Sequence, residues 1–199
     1  MERPTSIGAP MHDTATDAVD LVALADAVYD GVAADPAVFG EQAARLVQRA
    51  RKEGPVEALV VALRAEAWAE RIALRNAAAR TLLDEAVALA QRHGLDRRLG
   101  QVLVSRVAVH QELGQLTAAQ RDVDRAIDLL PPGERAELLF QHGALLQNRG
   151  RLSEAGQQYR QVLADVGCPP LVRAKAGNNL AHLESELGHS DLARALLDD

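Results

Sequence analysis

The amino-acid sequence predicts an all-α fold, namely an α-solenoid of about ten helices arranged as antiparallel hairpins. The first observation is a phrase that returns about every 36 to 40 residues, in which a Gly is followed five residues later by an Ala. The second is a composition that is 48% hydrophobic but only 3% aromatic, which leaves an interior of Ala, Leu and Val. Periods of this length are typical of stacked helical hairpins. The Gly–Ala pairs are Gly114 and Ala119, Gly150 and Ala155, and Gly188 and Ala193.

The N-terminal part of the chain divides into a leader and a first hairpin. Residues 1–14 contain two Pro and no helical period, so we predict a disordered leader there and one repeat domain over 15–199. The first hairpin is predicted at about 17–51. Pro36 suits the first position of its second helix, because a missing N–H costs nothing at that position.

The second and third hairpins are bounded by turn residues. The second is predicted at about 56–93, after a Gly–Pro pair, and the third at about 97–130, before a Pro–Pro–Gly stop. In the third hairpin Thr117 and Gln120 have the spacing of a capping box, whose side chains bond the free N–H groups at a helix start. We therefore expect a helix to begin at Ala118.

The fourth and fifth hairpins complete the repeat domain. They are predicted at about 134–166 and 171–197, separated by a Gly and two Pro. Apolar residues within the helices recur at three- and four-residue steps, as at Val123, Ile127 and Leu130. Each helix therefore has one buried stripe, and the short links make neighbouring helices antiparallel.

Charge and composition exclude several classes of protein. The formal net charge of −6 and the pI near 5.5 disfavour nucleic-acid binding, which needs a basic surface. No apolar stretch approaches the roughly 20 residues that span a bilayer, and no signal peptide is visible. The single Cys168 excludes an internal disulfide. We expect a cytoplasmic protein with no nucleic-acid partner and no membrane partner.

The residues that carry chemistry show no catalytic or metal-binding pattern, so we expect no enzyme activity and no cofactor or metal. Cys168 lies in a loop with no base at a recognisable spacing. His110 and His142 fall on inward-facing positions and are expected to be hydrogen-bonded core residues. Asp122 lies in an acidic run with Asp124 and Asp128 that lacks the Gly of a calcium loop, and we predict a solvated face.

Three hairpins carry one residue pattern at matching positions, with a Gly at the turn and an Ala early in the second helix, and the pattern resembles the tetratricopeptide repeat (TPR). The second hairpin matches only in part and lacks the turn Gly, and the first is assigned by analogy. The matching residues are Leu103, Gly114, Ala119, Val123, Ala126 and Pro131 in the third hairpin, Leu139, Gly143, Leu146, Gly150, Ala155 and Tyr159 in the fourth, Asn179, Leu180, Ala181, Gly188, Ala193 and Leu197 in the fifth, and Leu63, Ala67, Ala79, Leu83 and Ala86 in the second.

A narrower resemblance rests on the texture of the chain. The Arg- and Ala-rich composition and the phrases AWAER, LLDEAVALA and AGNNLAHLESELG over roughly 36–199 are similar to the repeat arm that precedes a caspase-like CHAT peptidase domain in actinobacteria. The peptidase domain itself is absent from this sequence.

The TPR resemblance implies a concave face, lined by the first helix of each hairpin, that binds a protein or peptide partner. Only Asn179 keeps the polar residue type of the family at this face, so a carboxylate clamp is not indicated. Trp68 and Phe140 are equally consistent with core residues and with partner-binding anchors. The candidate partner-binding residues are Arg64, Trp68, Ser105, Gln111, Phe140, Gln141, Gln147, Asn178, Asn179 and His182.

The last helix presents Leu192, Leu196 and Leu197 with no polar helix after it. Terminal repeats need a polar outer face. Either the chain forms a homodimer through this helix, or it is the arm of a longer protein.

The resulting prediction is a non-catalytic protein–protein interaction scaffold that binds a partner segment on its concave face. Three alternatives stay open. They are a regulatory or substrate-recruiting arm of a CHAT-type protease, the sensor arm of a transcriptional regulator, and a structural homo-oligomer without a groove ligand.

Overall fold

The computed structural model describes the backbone of residues 14–198 and the side chains of 21–196. This part of the chain forms ten α-helices and no strand, which confirms the all-α solenoid. The predicted leader lies outside the described residues except for Thr14, which begins the first helix instead of ending the leader. None of the described helices combines the length and the apolar character needed to span a membrane.

The helices follow one another through short turns, with one 3₁₀ turn at Pro132–Glu134. The largest difference from the predicted bounds is at the start of α1, which begins at Thr14 instead of Asp17. The helices are α1 Thr14–Gly31, α2 Pro36–Glu53, α3 Val56–Ile72, α4 Asn76–Arg92, α5 Asp96–Glu112, α6 Leu116–Leu129, α7 Ala136–Asn148, α8 Leu152–Ala164, α9 Pro170–Glu186 and α10 Ser190–Asp198.

The odd-numbered and even-numbered helices form two rows. Each odd-numbered helix contacts the next odd-numbered one, from α1 to α9, whereas the even-numbered helices pack mainly on their odd-numbered neighbours. Direct contact along one row and not along the other requires the stack to curve towards the contacting row. The odd-numbered helices therefore line the concave side, which we call the inner face.

The turns inside four hairpins share one backbone geometry. In each turn one residue donates its N–H to the carbonyl five residues earlier in the chain. The residue directly before this donor has a positive φ, as in a Schellman motif. Gly114, Gly150 and Gly188 supply that conformation in three hairpins, and Leu74 adopts it with φ +60° in the second. The four bonds join Arg75 to Glu70, Gln115 to His110, Arg151 to Leu146 and His189 to Glu184 at 2.8–2.9 Å.

The predicted capping box in the third hairpin is wrong. Helix α6 begins at Leu116, and the preceding Gln115 makes no side-chain cap. Thr117 therefore lies inside the first turn, where its hydroxyl is not at a capping position. The Gln120 side chain is engaged elsewhere, since its Nε2 donates to Asp124 and its Oε1 accepts from Arg149.

The prediction of a solvated face for three aspartates is wrong for Asp122, which is only 6% exposed. Arg106 donates from Nε and Nη2 to both Asp122 carboxylate oxygens at 2.7 Å, and from Nη1 to Asp84 at 2.9 Å. His110 is buried beside this pair, and its Nδ1 lies 2.7 Å from Gln115 Oε1. Asp122 therefore joins α5 to α6, while Asp124 and Asp128 are exposed.

The core consists of two clusters. The first runs from Leu21 in α1 to Leu145 in α7, and the second runs from Ala136 in α7 to Leu183 in α9 with Leu196 against it. Tyr159 is the largest fully buried residue of the second cluster. Gly143 lies against it so closely that an added Cβ would be 2.5 Å from the Tyr159 ring.

Candidate partner-binding face

The inner face is closed by polar cross-links at its N-terminal end. Arg64 of α3 donates from Nη2 to the Tyr29 hydroxyl of α1 at 2.6 Å and from Nε to Ser105 Oγ of α5 at 2.9 Å. Its guanidinium also stacks 3.8 Å from the centroid of the Tyr29 ring. Trp68 packs on the same Tyr29 ring, with ring centroids 4.7 Å apart. The predicted binding residues Arg64, Trp68 and Ser105 thus lie together in a structural cluster.

A second arginine extends these cross-links. Arg98 of α5 donates from Nη1 and Nη2 to Asp26 of α1 at 2.8 and 2.7 Å, and from Nε to Glu57 of α3 at 2.8 Å. The Arg98 side chain is only 14% exposed. Three successive odd-numbered helices are therefore tied by charge-assisted bonds, which are about twice as strong as neutral ones.

An open cleft lies further along the inner face, lined by residues of α3, α5, α7 and α9. It has a volume of about 420 Å³. We call it the inner cleft. It contains three of the predicted binding residues and four charged or polar side chains that the sequence prediction missed. Its walls are Gln111, Phe140 and Gln141, which were predicted, with Arg71, Ala108, Glu112, Asn148 and Lys175.

A chain of side-chain amides forms the floor of the inner cleft. Asn148 donates to Gln111 Oε1 at 3.4 Å, Gln111 donates to the Gln141 side-chain and main-chain oxygens at 3.2 Å, and Gln141 donates to Glu137 at 2.9 Å. Each amide has two N–H groups and an oxygen with two lone pairs. The exposed Asn148 therefore retains one N–H and its side-chain oxygen, and Gln111 retains a lone pair on Oε1.

Charge and aromatic character differ between the two walls of the inner cleft. On one wall Arg71 of α3 donates from Nε to Glu112 of α5 at 2.8 Å, so these two charges neutralise each other. On the other wall the Lys175 ammonium lies 5.8 Å from the centroid of the Phe140 ring. Lys175 is exposed, and no carboxylate of the described residues forms an ion pair with it.

Two predicted binding residues surround a buried phenol. The Tyr159 hydroxyl donates to Gln147 Oε1 at 3.0 Å and accepts from Asn179 Nδ2 at 3.2 Å. Burial raises the pKa of Tyr159. Asn179, the one residue that matches the TPR pattern at this face, is thus hydrogen-bonded to Tyr159 of α8.

The remaining predicted residues lie at the end of the solenoid. Asn178 and His182 line a separate cleft of about 460 Å³ between α9 and α10, which we call the end cleft. His182 is exposed, and its Nε2 lies 3.5 Å from Glu186. Of the predicted self-association residues, Leu192 is 46% exposed, Leu196 packs on the second core cluster, and the Leu197 side chain lies outside the described residues.

Helical spacing could have found two of the residues that the sequence prediction missed. Arg71 follows the predicted Arg64 by seven residues, which returns to the same face of α3. Lys175 precedes the predicted Asn179 by four residues and lies one turn away on α9. Glu112 and Asn148 end their helices, and no sequence signal separates them from other polar residues at helix ends.

Several solved structures resemble this fold, although the sequence matches no protein-family model and no curated protein. The crystal structure of BtubC (BKLC) from P. vanneervenii matches with a TM-score of 0.71 and 15% identity, over 93% of this chain and 81% of that one. A Podosopora anserina putative kinesin light chain with nearly identical TPR-like repeats matches with a TM-score of 0.63 and 17% identity, over 94% of each chain.

These comparisons define the class of protein. The chain is an all-α helical-repeat solenoid with a TPR-like fold, and the TPR resemblance of the sequence is confirmed at the level of the fold.

Proposed function

We propose that the protein is a non-catalytic interaction scaffold whose inner cleft binds an extended segment of a partner protein. The observation that carries this proposal is the inner cleft itself, an open and mostly polar space that crosses α5, α7 and α9 on the concave side. The N-terminal half of the same face is filled by the Arg64 and Arg98 cross-links. The partner therefore lies on the C-terminal half.

The chemistry of the floor supports an extended segment. A peptide main chain in extended form presents N–H and C=O groups that need partners when water is displaced. Asn148 offers a donor and an acceptor at this place, and Gln111 offers a further acceptor. Because the amides are already joined to one another, little side-chain freedom is lost when a segment binds.

The test compares two Asn→Trp variants as baits. Asn148 and Asn178 are both exposed residues on odd-numbered helices, but only Asn148 lines the inner cleft. The wild-type chain would be used to capture proteins from a lysate of the producing organism, and each captured protein would be purified and titrated by calorimetry. We expect Asn148→Trp to weaken binding at least about tenfold by filling the cleft, while Asn178→Trp binds like the wild type.

Equal binding of the purified partner by all three proteins would contradict the inner cleft as the site. Selective loss with Asn178→Trp would also contradict it, because the partner would then occupy the end cleft. Circular dichroism of each variant controls for loss of helix.

The alternatives left open by the sequence make predictions of their own. A regulatory arm of a CHAT-type protease predicts a His and a Cys in an α/β domain of the same polypeptide or of its partner. A regulator's sensor arm predicts a DNA-binding domain there instead. A homodimer through α10 predicts a concentration-dependent mass in light scattering that Leu192→Glu abolishes.

A further inference from the structure

Among the described residues that line the inner cleft, one cation, Lys175, has no ion-pair partner. The chain carries a formal net charge of −6 and has only two lysines, Lys52 and Lys175. In the cleft Arg71 is paired with Glu112, whereas Lys175 has no ion-pair partner among the described residues. A carboxylate on the partner is the group that complements this wall.

The second feature of the same wall is the Phe140 ring. It is half-buried, and it packs on Tyr159 with ring centroids 6.1 Å apart. Its remaining exposed area fits an apolar side chain, which would be desolvated against the ring.

The distance between Lys175 and Phe140 indicates how far apart the two contacting residues lie in the bound segment. The Lys175 ammonium is 5.8 Å from the Phe140 ring centroid. In an extended chain, side chains two residues apart lie on the same side and are about 6.6 Å apart, whereas adjacent side chains point to opposite sides. Two side chains that are two residues apart in an extended segment therefore match the separation of these two features.

We propose that the inner cleft recognises an extended internal segment with the pattern acidic–any–apolar, in which the acidic side chain pairs with Lys175 and the apolar side chain covers Phe140. This inference rests on the proposed function and adds the chemistry of the segment. Lys175 is then a specificity-determining residue. We assign the carboxylate to a side chain and test a terminal carboxylate as the alternative source.

The experiment uses fluorescein-labelled nine-residue peptide pools in fluorescence anisotropy at 50 mM salt. The pools share random small and polar positions and amidated C-termini, and they differ in a fixed core of Glu-x-Leu, Gln-x-Leu or Glu-Leu. We expect Glu-x-Leu to bind about fivefold more tightly than the other two, the size of one exposed ion pair or one lost apolar contact. The preference for Glu over Gln should shrink at 500 mM salt because screening weakens exposed pairs.

Variants of the two lysines test whether the preference for Glu over Gln depends on Lys175. Lys175→Gln should remove the preference for Glu, Lys175→Arg should keep it, and Lys52→Gln, a change at the exposed end of α2, should leave it unchanged. A fourth pool with Gln-x-Leu and a free C-terminal carboxylate tests the other source of charge. If that pool matches Glu-x-Leu in a Lys175-dependent way, the carboxylate is terminal and the inference is wrong.

The remaining outcomes separate this inference from the proposed function. If the pools bind equally and Asn148→Trp abolishes their binding, the acidic pattern fails and the inner cleft stands as the site. If binding of the pools survives Asn148→Trp, both the acidic–any–apolar pattern and the inner cleft as the binding site are contradicted. If no pool binds at 1 mM, the acidic–any–apolar pattern is overturned, while the proposed function is still decided by the captured partner.

Discussion

At the scale of single residues, Leu74 occupies a backbone position that suits glycine. Its φ of +60° is the left-handed conformation that glycine supplies at Gly114, Gly150 and Gly188, and its side chain is 84% exposed. A side chain in this conformation costs about 1–2 kcal/mol, and glycine loses part of that gain to unfolded-state entropy. We expect Leu74→Gly to raise the free energy of unfolding by about 0.5–1 kcal/mol in urea denaturation.

The reciprocal change provides the control for this prediction. A Cβ added at Gly114 meets nothing within 4 Å, so Gly114→Ala would introduce the backbone cost without a clash. It should destabilise the protein by about the amount that Leu74→Gly gains. If both changes lower stability, the contacts of the Leu74 side chain stabilise the fold by more than its backbone conformation costs.

The residue His142 should give stability a dependence on pH. Burial lowers the pKa of His142 below 6.5, against the opposing effect of Asp124. Below pH 6.5 the unfolded chain takes up a proton that the folded chain resists, so the contribution of His142 is complete above that pH and is lost as the pH falls. We expect the stability difference between wild type and His142→Gln to change between about pH 7 and pH 5 in urea titrations.

The control is Leu74→Gly, which changes stability without changing a titratable side chain. The difference between this variant and the wild type should stay constant over the same range. A constant difference for His142→Gln as well would show that His142 titrates alike in the folded and unfolded chain.

At the scale of elements, the α5–α6 hairpin depends on the Arg106–Asp122 pair. Both side chains are largely buried, and removing one partner leaves the other charge uncompensated. Because Asp84 still contacts Arg106, we expect Asp122→Ala to cost about 2–3 kcal/mol in chemical denaturation. Asp124→Ala, two residues along the same helix but exposed, should cost less than about 0.5 kcal/mol.

Replacing both partners tests whether the loss comes from an uncompensated charge. The double variant Asp122→Leu, Arg106→Met should be more stable than Asp122→Ala alone. A double variant that is less stable would mean that the pair contributes more than its burial costs.

The elements that the sequence predicts well are those that local backbone chemistry controls. The Gly residues at Gly114, Gly150 and Gly188 end helices because their turns need a positive φ, and this holds wherever the hairpin packs. Asp122 was mispredicted from its charge, although it lies three residues after Ala119 and one before Val123 on the apolar stripe of α6. That position on the stripe indicates burial, and a buried aspartate needs a charged or hydrogen-bonding partner such as Arg106.

The candidate site was less predictable because it depends on contacts between helices. The inner cleft joins Arg71 of α3 to Lys175 of α9, residues that no local pattern relates. The sequence also could not distinguish the polar residues that face the cleft from those that bond inside the solenoid. Ser105 and Asn179 bond to Arg64 and Tyr159, while Gln111 and Gln141 line the open space.

At the scale of the whole molecule, the two core clusters predict that the solenoid does not unfold as one unit. Leu63 belongs to the first cluster and Leu183 to the second, and both are essentially fully buried. Their replacement by Ala should cost about 3 kcal/mol each. In a solenoid each hairpin contacts only its neighbours, so such a loss is felt locally.

Hydrogen exchange read by mass spectrometry would measure this division. We expect Leu183→Ala to speed exchange in α8, α9 and α10 and to leave α3 and α4 protected, and Leu63→Ala to do the reverse. The boundary should fall in α7, because Leu145 packs in the first cluster and the adjacent Leu146 in the second. Since the inner cleft lies across that boundary, a partner bound to α5, α7 and α9 would couple the two clusters and slow exchange on both sides of it. Uniform acceleration along the chain by either variant would show a single cooperative unit, and the cleft would then lie within one body.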